Sequence, residues 1–377
     1  MRNEPFSAPP VERVLKMDSC DVLIVGGGPA GSSCAWGLRN SGLDVVVLDQ
    51  RNFPRPKVCG GWITPHVLTE LEVDPVDYAR GRTFQAITGF RVGPIGGRAL
   101  ETHYGAPVSY GIRRCEFDHY LLGRTTARLA LGTPLSTLER PGDQWIANEQ
   151  ISARFVVGAG GHFCPVARLA GARVGSEPAI VAQEAEFEMD EHQRKHCHVR
   201  EEVPELYFCS DMKGYGWCFR KGNFINVGLG RADKHRLSDH VSGFLRFLQR
   251  AGRITFEVPG MRGHAYLLQN TSTRRIAGDG MVLIGDAAGL AYPQSGEGIL
   301  PAVRSGLLAA QAISAGNGLE PYRAQMARRG RPPILTSAGR HLPAGLIALL
   351  AGRLLRTGWF VRRVVLDEWF LNGSSRD

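Results

Sequence analysis

The run Asp21-Val22-Leu23-Ile24-Val25-Gly26-Gly27-Gly28-Pro29-Ala30-Gly31 decides how this chain is read. Asp21 to Val25 is a short apolar, β-branched stretch suited to a buried strand. The turn Gly26 to Gly31 follows at once, and the residues after it, up to Asn40, are spaced as a helix. Ser41 and Gly42 break that helix, and Asp44 to Leu48 forms a second buried strand closed by Asp49. Strand, turn, helix and strand make one βαβ unit of about 30 residues. In the spacing Gly26-x-Gly28-x-x-Gly31, Gly26 permits the tight turn, Gly28 lets the backbone approach a pyrophosphate, and Gly31 lets helix and strand pack closely. Pro29 and Ala30 belong to the turn, and the helix N-terminus beyond it offers free N–H groups and a positive dipole end to phosphate. Asp49, followed by Gln50, stands 18 residues after Gly31, where an acid accepts hydrogen bonds from ribose hydroxyls and disfavours a 2′-phosphate. Glycine-rich turns are common, but in this context the turn predicts a bound dinucleotide.

Outward from this unit the texture alternates between two kinds of sheet. Phe84 to Ile112 is alternating and punctuated by glycine, which predicts antiparallel strands, and Phe117 to Leu131 has helical spacing. Phe155 to Ala159 is all apolar, as a strand inside a parallel sheet would be. Val181 to Met189 alternates, with Val181, Ala185, Phe187 and Met189 on one face, and strands are expected at Leu206–Cys209, Tyr215–Phe219 and Phe224–Leu229. Met281 to Ile284 reads as a last buried strand. From Gly296 onward a helix is expected, with Ile299, Val303 and Leu307 on one stripe.

Composition narrows the class. A chain of 377 residues with 43% hydrophobic and 21% charged residues is neither disordered nor fibrous, and its length suits a cofactor domain plus a smaller one. Eight cysteines include no Cys-x-x-Cys pair, which excludes a disulfide framework or a zinc site. His192, His196, Cys197 and His198 lie in a charged, turn-like stretch with no second ligand cluster, so no metal is expected. The first sixteen residues lack the apolar core of a secretory leader; a cytoplasmic location is expected, with residues 1–17 a disordered tail.

The net charge of +9 is concentrated late in the chain: residues 322–377 hold ten arginines against three acids. The apolar run Leu342 to Gly352 in that stretch is too short to span a bilayer but long enough to lie on one, so a peripheral membrane contact stands beside plain packing on the body. Nothing resembles an aromatic-basic platform, and no nucleic acid is expected.

Two further motifs choose the cofactor. Ile284-Gly285-Asp286-Ala287-Ala288-Gly289 ends a strand, and Pro293, Gly296, Glu297, Gly298 and Ile299 lead into a helix. Here the chain resembles the flavoprotein superfamily of hydroxylases, halogenases and geranylgeranyl reductases. The resemblance implies that Gly285 and Asp286 meet the ribityl chain of FAD and that the Gly296 to Ile299 amides face its isoalloxazine ring. A helix N-terminus there would stabilise the negative charge of reduced flavin.

Pro54-Arg55-Pro56-Lys57-Val58-Cys59-Gly60-Gly61 is similar to the signature of geranylgeranyl reductases, in which Gly60 and Gly61 let backbone lie on the ring. By the same resemblance Cys59 lies at the reactive face, as a proton donor or as small apolar filler, and Lys57 pairs with cofactor oxygens or is solvated. Gly214-Tyr215-Gly216-Trp217-Cys218-Phe219 looks like that family's cavity motif, with Tyr215 and Trp217 as walls. Arg114-Cys115-Glu116-Phe117-Asp118 matches an Arg-x-x-Phe-Asp element that makes Arg114 an FAD contact. Two positions depart from the pattern. Arg220 replaces a proline and is expected to set a cation at the cavity rim, favouring an anionic or amphiphilic substrate. Gly160 replaces the acid of an Asp-Gly pair in Val156-Val157-Gly158-Ala159-Gly160-Gly161.

The expected fold is therefore α/β: a discontinuous Rossmann-like FAD-binding domain over 18–83, 112–178 and 270–321, a second α+β substrate domain with an antiparallel sheet over 84–111 and 179–269, and a basic helical C-terminal segment over 322–377. The expected activity is an FAD-dependent reductase that passes hydride to a carbon double bond of a small hydrophobic or amphiphilic substrate. NAD(P)H and a reduced carrier both stay open as electron donor, and the oligomeric state is not fixed. The alternatives are a flavin monooxygenase or halogenase, though the halogenases' Trp-x-Trp-x-Ile-Pro element is missing, and a flavoprotein maturation factor that acts on another protein.

Overall fold

A computed structural model describes residues 18–371 except 234, 270, 317 and 330–343. The tail expected over 1–17 and parts of the basic segment lie outside the described residues. Strand β1 (Asp18–Val25) runs into the glycine turn, helix α1 (Pro29–Gly37) returns, and strand β2 (Val45–Asp49) pairs parallel to β1. Val22, Leu23 and Ile24 are wholly buried, as are Val47 and Leu48, because both faces of a parallel sheet are covered and no side chain can alternate into water. The sheet grows with Ile151–Gly158 parallel on the other side of β1, Met281–Leu283 parallel beyond it, and Arg128–Leu131 parallel outside β2. Its neighbouring strands thus come from the start, middle and later part of the chain.

α1 is clamped by the long helix Ile299–Ser314. A Cβ on Gly37 would sit 2.7 Å from that of Ala310, and one on Gly306 would strike the Ala30 carbonyl oxygen. The two helices therefore approach through small residues, with their N-termini on the same side of the sheet as the glycine turn.

One expectation fails here. Phe117 to Leu131 is not a single helix: the helix spans Arg114–Gly123, and Arg128–Leu131 is the edge strand beside β2. Leu129 stands seven and eight residues after Leu122 and Leu121 and so continues a helical spacing, while Leu129 and Leu131, two apart, have the period of a strand. Pairing with β2 decides the matter, since it satisfies backbone groups that a free helical turn would leave at the sheet edge.

The second sheet has seven strands in the order Arg262–Tyr266, Ile180–Glu188, Phe224–Arg231, Gly214–Lys221, Glu205–Phe208, Gly89–Pro94, Leu100–His103. It is antiparallel except where Glu205–Phe208 runs parallel to Gly89–Pro94. A three-stranded sheet of Trp62–Ile63, Ser109–Ile112 and Phe84–Ile87 lies beside it. The alternation read over Val181 to Met189 falls on strand Ile180–Glu188, but both faces are used. Phe187 and Met189 join the cluster of Val241, Phe244 and Leu248 from the amphipathic helix Leu237–Arg250, whereas Ala182 joins Trp217 and Phe219 on the opposite face.

The C-terminal part folds as helices Ala344–Leu354 and Gly358–Phe360 and a π-helical segment, Val361–Phe370. Val361, Val365, Leu366 and Phe370 are buried against Phe90, Leu206 and Trp217 of the second sheet. Tyr104 donates to the buried Asp367 carboxylate at 2.7 Å and fastens this segment. The outer side is different: Leu349, Leu350, Leu354 and Trp359 are exposed, the last by 70%. Among the described residues no helix is long and apolar enough to cross a membrane.

Candidate active site

A cavity of about 710 Å³ is walled by both large sheets and the C-terminal segment. Gly26, Gly28, Pro29, Ala30, Asp49 and Gln50 line one part of it, Tyr215, Trp217, Phe219, Trp62 and Phe370 another. Lys57, Cys59, Gly60, Gly61, Arg114, Gly160, Asp286, Gly296, Glu297, Gly298 and Ile299 complete the wall from the elements between. Of the positions expected at the site, Gly31, Gly285 and Pro293 do not reach the wall. Gly31 lies beneath the turn, the Gly285 N–H donates to Ser305 Oγ at 2.9 Å, and Pro293 sits in the loop before the long helix.

The glycine turn is built from backbone. Gly26 adopts φ +113°, and a Cβ there would strike the Ala159 carbonyl; a Cβ on Gly31 would land on the Gly26 carbonyl oxygen. Only glycine allows strand, turn and helix to close this tightly. α1 begins at Gly28 with no side-chain cap, so its first N–H groups are open to an anion. Asp49, 8% exposed, is fixed by accepting from the N–H groups of Gly27 at 2.7 Å and Arg51 at 2.8 Å. Each oxygen keeps a second lone pair for a hydroxyl donor. A second uncapped N-terminus, that of Ile299–Ser314 at Gly298, lines the same cavity.

Between them lies a cluster of charge. Arg114 forms a bidentate pair with the fully buried Asp118 at 2.7 and 2.9 Å, and Arg55 reaches the same carboxylate at 3.5 Å. Arg55 also lies over Gly28: a Cβ there would come within 3.3 Å of its guanidinium. Lys57 Nζ is 3.1 Å from His264 Nε2, and His264 Nε2 is 3.7 Å from Asp286 Oδ2. Burial would raise the Asp286 carboxyl, but His264, Lys57 and Arg114 outweigh it and hold it below the ordinary range. Burial pushes the Lys57 ammonium and the His264 imidazole down, with Asp286 opposing in both. The group is an anion at the end of a strand, set among donors.

At the aromatic wall, strand Gly214–Lys221 turns Tyr215, Trp217 and Phe219 inward. The period of two turns Arg220 the other way, where it pairs with Glu201 at 3.0 Å, so the cation expected at the rim does not line the cavity. On the Phe219 face of the strand the cation is Lys221, wholly buried and donating to Ile112 O at 2.8 Å and Glu186 at 2.7 Å, and it does not line the cavity either. Trp217 donates to Asn226 Oδ1 at 2.7 Å, Asn226 donates to Cys59 O at 3.0 Å, and Cys59 N–H donates to Glu184 Oε1 at 2.6 Å. The Cys59 to Gly61 loop is thus tied to the second sheet by its backbone. Tyr215 donates to Ser295 O, and Phe370 from the C-terminal segment lies 5.4 Å from its ring.

Glu184, His264, Tyr266, Trp62, Arg55 and Phe370 were not singled out from sequence. Glu184 lies on the strand face that reads as the solvent side, and His264 and Tyr266 lie on a five-residue edge strand without an apolar run. Alternation in Arg262-Gly263-His264-Ala265-Tyr266 was the available signal. Among the described residues no group of three or more His, Cys, Asp or Glu side chains is placed to hold a metal ion.

Residues 24–86 match the family of NAD(P)-binding Rossmann-like domains. Over 351 residues the chain is 30% identical to a digeranylgeranylglycerophospholipid reductase of Methanothrix thermoacetophila, covering 86% of each chain. It is 28% identical to a menaquinone reductase of Mycobacterium tuberculosis over 78% of this chain and 77% of the relative. A solved geranylgeranyl bacteriochlorophyll reductase-like protein of Thermoplasma acidophilum shares the fold, with a TM-score of 0.68 and 23% identity over 90% of this chain and 88% of that one. The chain belongs to the geranylgeranyl reductase family of FAD-dependent oxidoreductases.

Proposed function

We propose that this flavoprotein reduces carbon double bonds of a prenyl chain or a prenylated lipid, with FAD held along the glycine turn and the substrate in the aromatic part of the cavity. One observation carries the reading: a single cavity joins a backbone-built dinucleotide cradle to a wall of Trp62, Tyr215, Trp217, Phe219 and Phe370. The relatives named for prenylated lipid and quinone reduction support it. Bound FAD, once reduced, supplies a hydride.

The chain's own residues do the rest. Gly26, Gly28, Pro29, Ala30 and the α1 N-terminus, with Arg55 above, bind the pyrophosphate, and Asp49 with Gln50 orients the ribose. Asp286, kept ionised by its neighbours, accepts from ribityl hydroxyls. Lys57, Arg114, Gly160, Glu297 and the backbone of Gly60, Gly61, Gly296, Gly298 and Ile299 hold the ring. Tyr215 and Trp217 exclude water from the reacting carbons and Cys59 lies beside them. In this division residues 18–83, 112–178 and 270–321 form the cofactor domain, and 84–111 with 179–269 the substrate domain. The C-terminal segment roofs the cavity through Phe370. Its exposed Leu349, Leu350, Leu354 and Trp359, together with the exposed Arg353, Arg356 and Arg362, suit contact with an anionic membrane surface from which a lipid is drawn.

The test is anaerobic incubation of the FAD-loaded, dithionite-reduced protein with geranylgeranyl diphosphate and, separately, menaquinone in micelles, followed by mass spectrometry. A product heavier by one H₂ per reduced bond is expected. Unchanged prenyl substrates, with the cofactor reduced and bound, would overturn the reading.

A further inference from the structure

Glu184 is an acid of the cavity wall that the reading above leaves without a task. It projects from strand Ile180–Glu188 and lines the cavity, yet the residue is only 4% exposed. Its backbone register is with Gly228, and a Cβ on Gly228 would meet both the Trp217 ring and the Glu184 Cβ, so the acid packs beside the indole. Oε1 accepts from the Cys59 N–H at 2.6 Å, while Oε2 is buried with no hydrogen-bond partner. An ionised carboxylate with one unsatisfied oxygen in such a place is costly, whereas the neutral acid is tolerated.

The charged and polar groups that face it leave it protonated below about neutral pH. On its own strand stands Glu186, already paired with Lys221; from the next strands come Lys221 and Asn226; from the edge strand, the exposed Arg262 in register and His264; from the loop, Cys59 and Lys57. Burial dominates and, with the Glu186 charge, pushes the carboxyl up to about 7, against the Cys59 N–H, Lys221 and the Asn226 side chain, which pull it down. The two tyrosine hydroxyls of the wall are less suited to giving up a proton. Burial holds the Tyr215 and Tyr266 hydroxyls well above their ordinary value, and the Tyr215 proton is already donated to Ser295 O.

We propose that Glu184 is the catalytic acid of the cavity: it holds a proton on Oε2 and delivers it to the substrate carbon that does not take the hydride, while Oε1 keeps the Cys59 loop in place. The proposal rests on the reading of the cavity as an alkene-reducing site. Reduction of one double bond needs a hydride and a proton; the two-electron donor is the reduced flavin, which is oxidised. The O–H bond of Glu184 breaks as the second C–H bond forms, and the carboxylate left behind is stabilised by the Cys59 N–H and the Lys221 charge until water reprotonates it. A group that titrates near neutral pH is matched to such a transfer.

Infrared difference titration of the FAD-loaded, oxidised protein, with ¹³C-glutamate labelling to assign the band, tests the proton without turnover. A protonated-carboxyl stretch that shifts with the label, is lost near pH 7 and is missing in Glu184→Gln is expected. No such band in wild type overturns the proposal, whether or not the variant folds. Single-turnover reduction of geranylgeranyl diphosphate by the reduced protein is the second arm. Wild-type rates should fall as pH rises through about 7. Glu184→Gln, which keeps the acceptor for Cys59, should retain its flavin spectrum, lose the pH dependence and slow about 100-fold or more. A variant as fast as wild type overturns the proposal. If wild type leaves the prenyl probe untouched, the substrate reading fails and the infrared arm alone decides Glu184.

Discussion

The two parts of the cavity are built by opposite means. Around the glycine turn the wall is main chain, shaped by two uncapped helix N-termini and by positions where no Cβ fits. At the aromatic wall it is side chain, set by the period of two on strands whose both faces are buried. A main-chain site tolerates almost no substitution at its glycines and leans on few side chains, here chiefly the carboxylates of Asp49 and Asp286. A side-chain site is the reverse, and each residue contributes a graded share.

That contrast orders the predictions. Gly31→Ala should have the largest effect, because its Cβ meets backbone rather than a movable side chain. We expect about 4 kcal/mol or more of lost stability in denaturant titration, and protein that purifies without yellow colour. A stable, yellow Gly31→Ala protein would break the comparison outright.

Next in size is the pH dependence of folding that Glu184 imposes. The native carboxyl titrates at about 7 against 4.5 for the ordinary group, so the folded state binds this proton more tightly than the unfolded chain. Its contribution is full below about pH 4.5 and is lost as pH rises through about 7, a difference of about 2–3 kcal/mol. Unfolding free energies of wild type and Glu184→Gln, measured from pH 4.5 to 8, should diverge in that sense; parallel curves would sink the expectation.

Trp217→Phe removes the donor to Asn226 while keeping an aromatic ring. It should cost about 1 kcal/mol, leave flavin uptake unchanged and raise the KM for the prenyl substrate. A loss of flavin instead would show that the aromatic wall also carries the cofactor. The smallest effect belongs to the outer surface. Replacing Arg353 and Arg356 by serine should weaken sedimentation with phosphatidylserine vesicles by about 1 kcal/mol per arginine at low salt, with the flavin spectrum unaltered. Equal binding of the double variant would remove the membrane contact.

What could be read from the sequence follows the same division. The glycine turn, Asp49 and the stretch from Asp286 to Ile299 announce themselves because backbone sites demand particular residues at fixed offsets. So do the strands of the parallel sheet, whose apolar runs leave little room for another period. Glu184 stayed hidden because an acid on the polar-looking face of an alternating strand is ordinarily solvated; only the cavity beyond that face makes it a buried one. His264 and Tyr266 stayed hidden because a short edge strand carries no apolar signature. Arg220 misled for a geometric reason: adjacent residues of a strand face opposite ways, and the cavity side belongs to Tyr215, Trp217 and Phe219. The strand Arg128–Leu131 was lost to a helical period that pairing with β2 overrides.

The parallel sheet takes Met281–Leu283 as the partner of Ile151–Gly158. Until that late strand arrives, Val156, Val157 and Gly158 present an apolar row of unpaired amides and carbonyls. Such a row is a template for strands of other chains. A nascent or proteolysed polypeptide that stops short of Met281 is therefore a seed for aggregation, and one that reaches it seals the row against its neighbours.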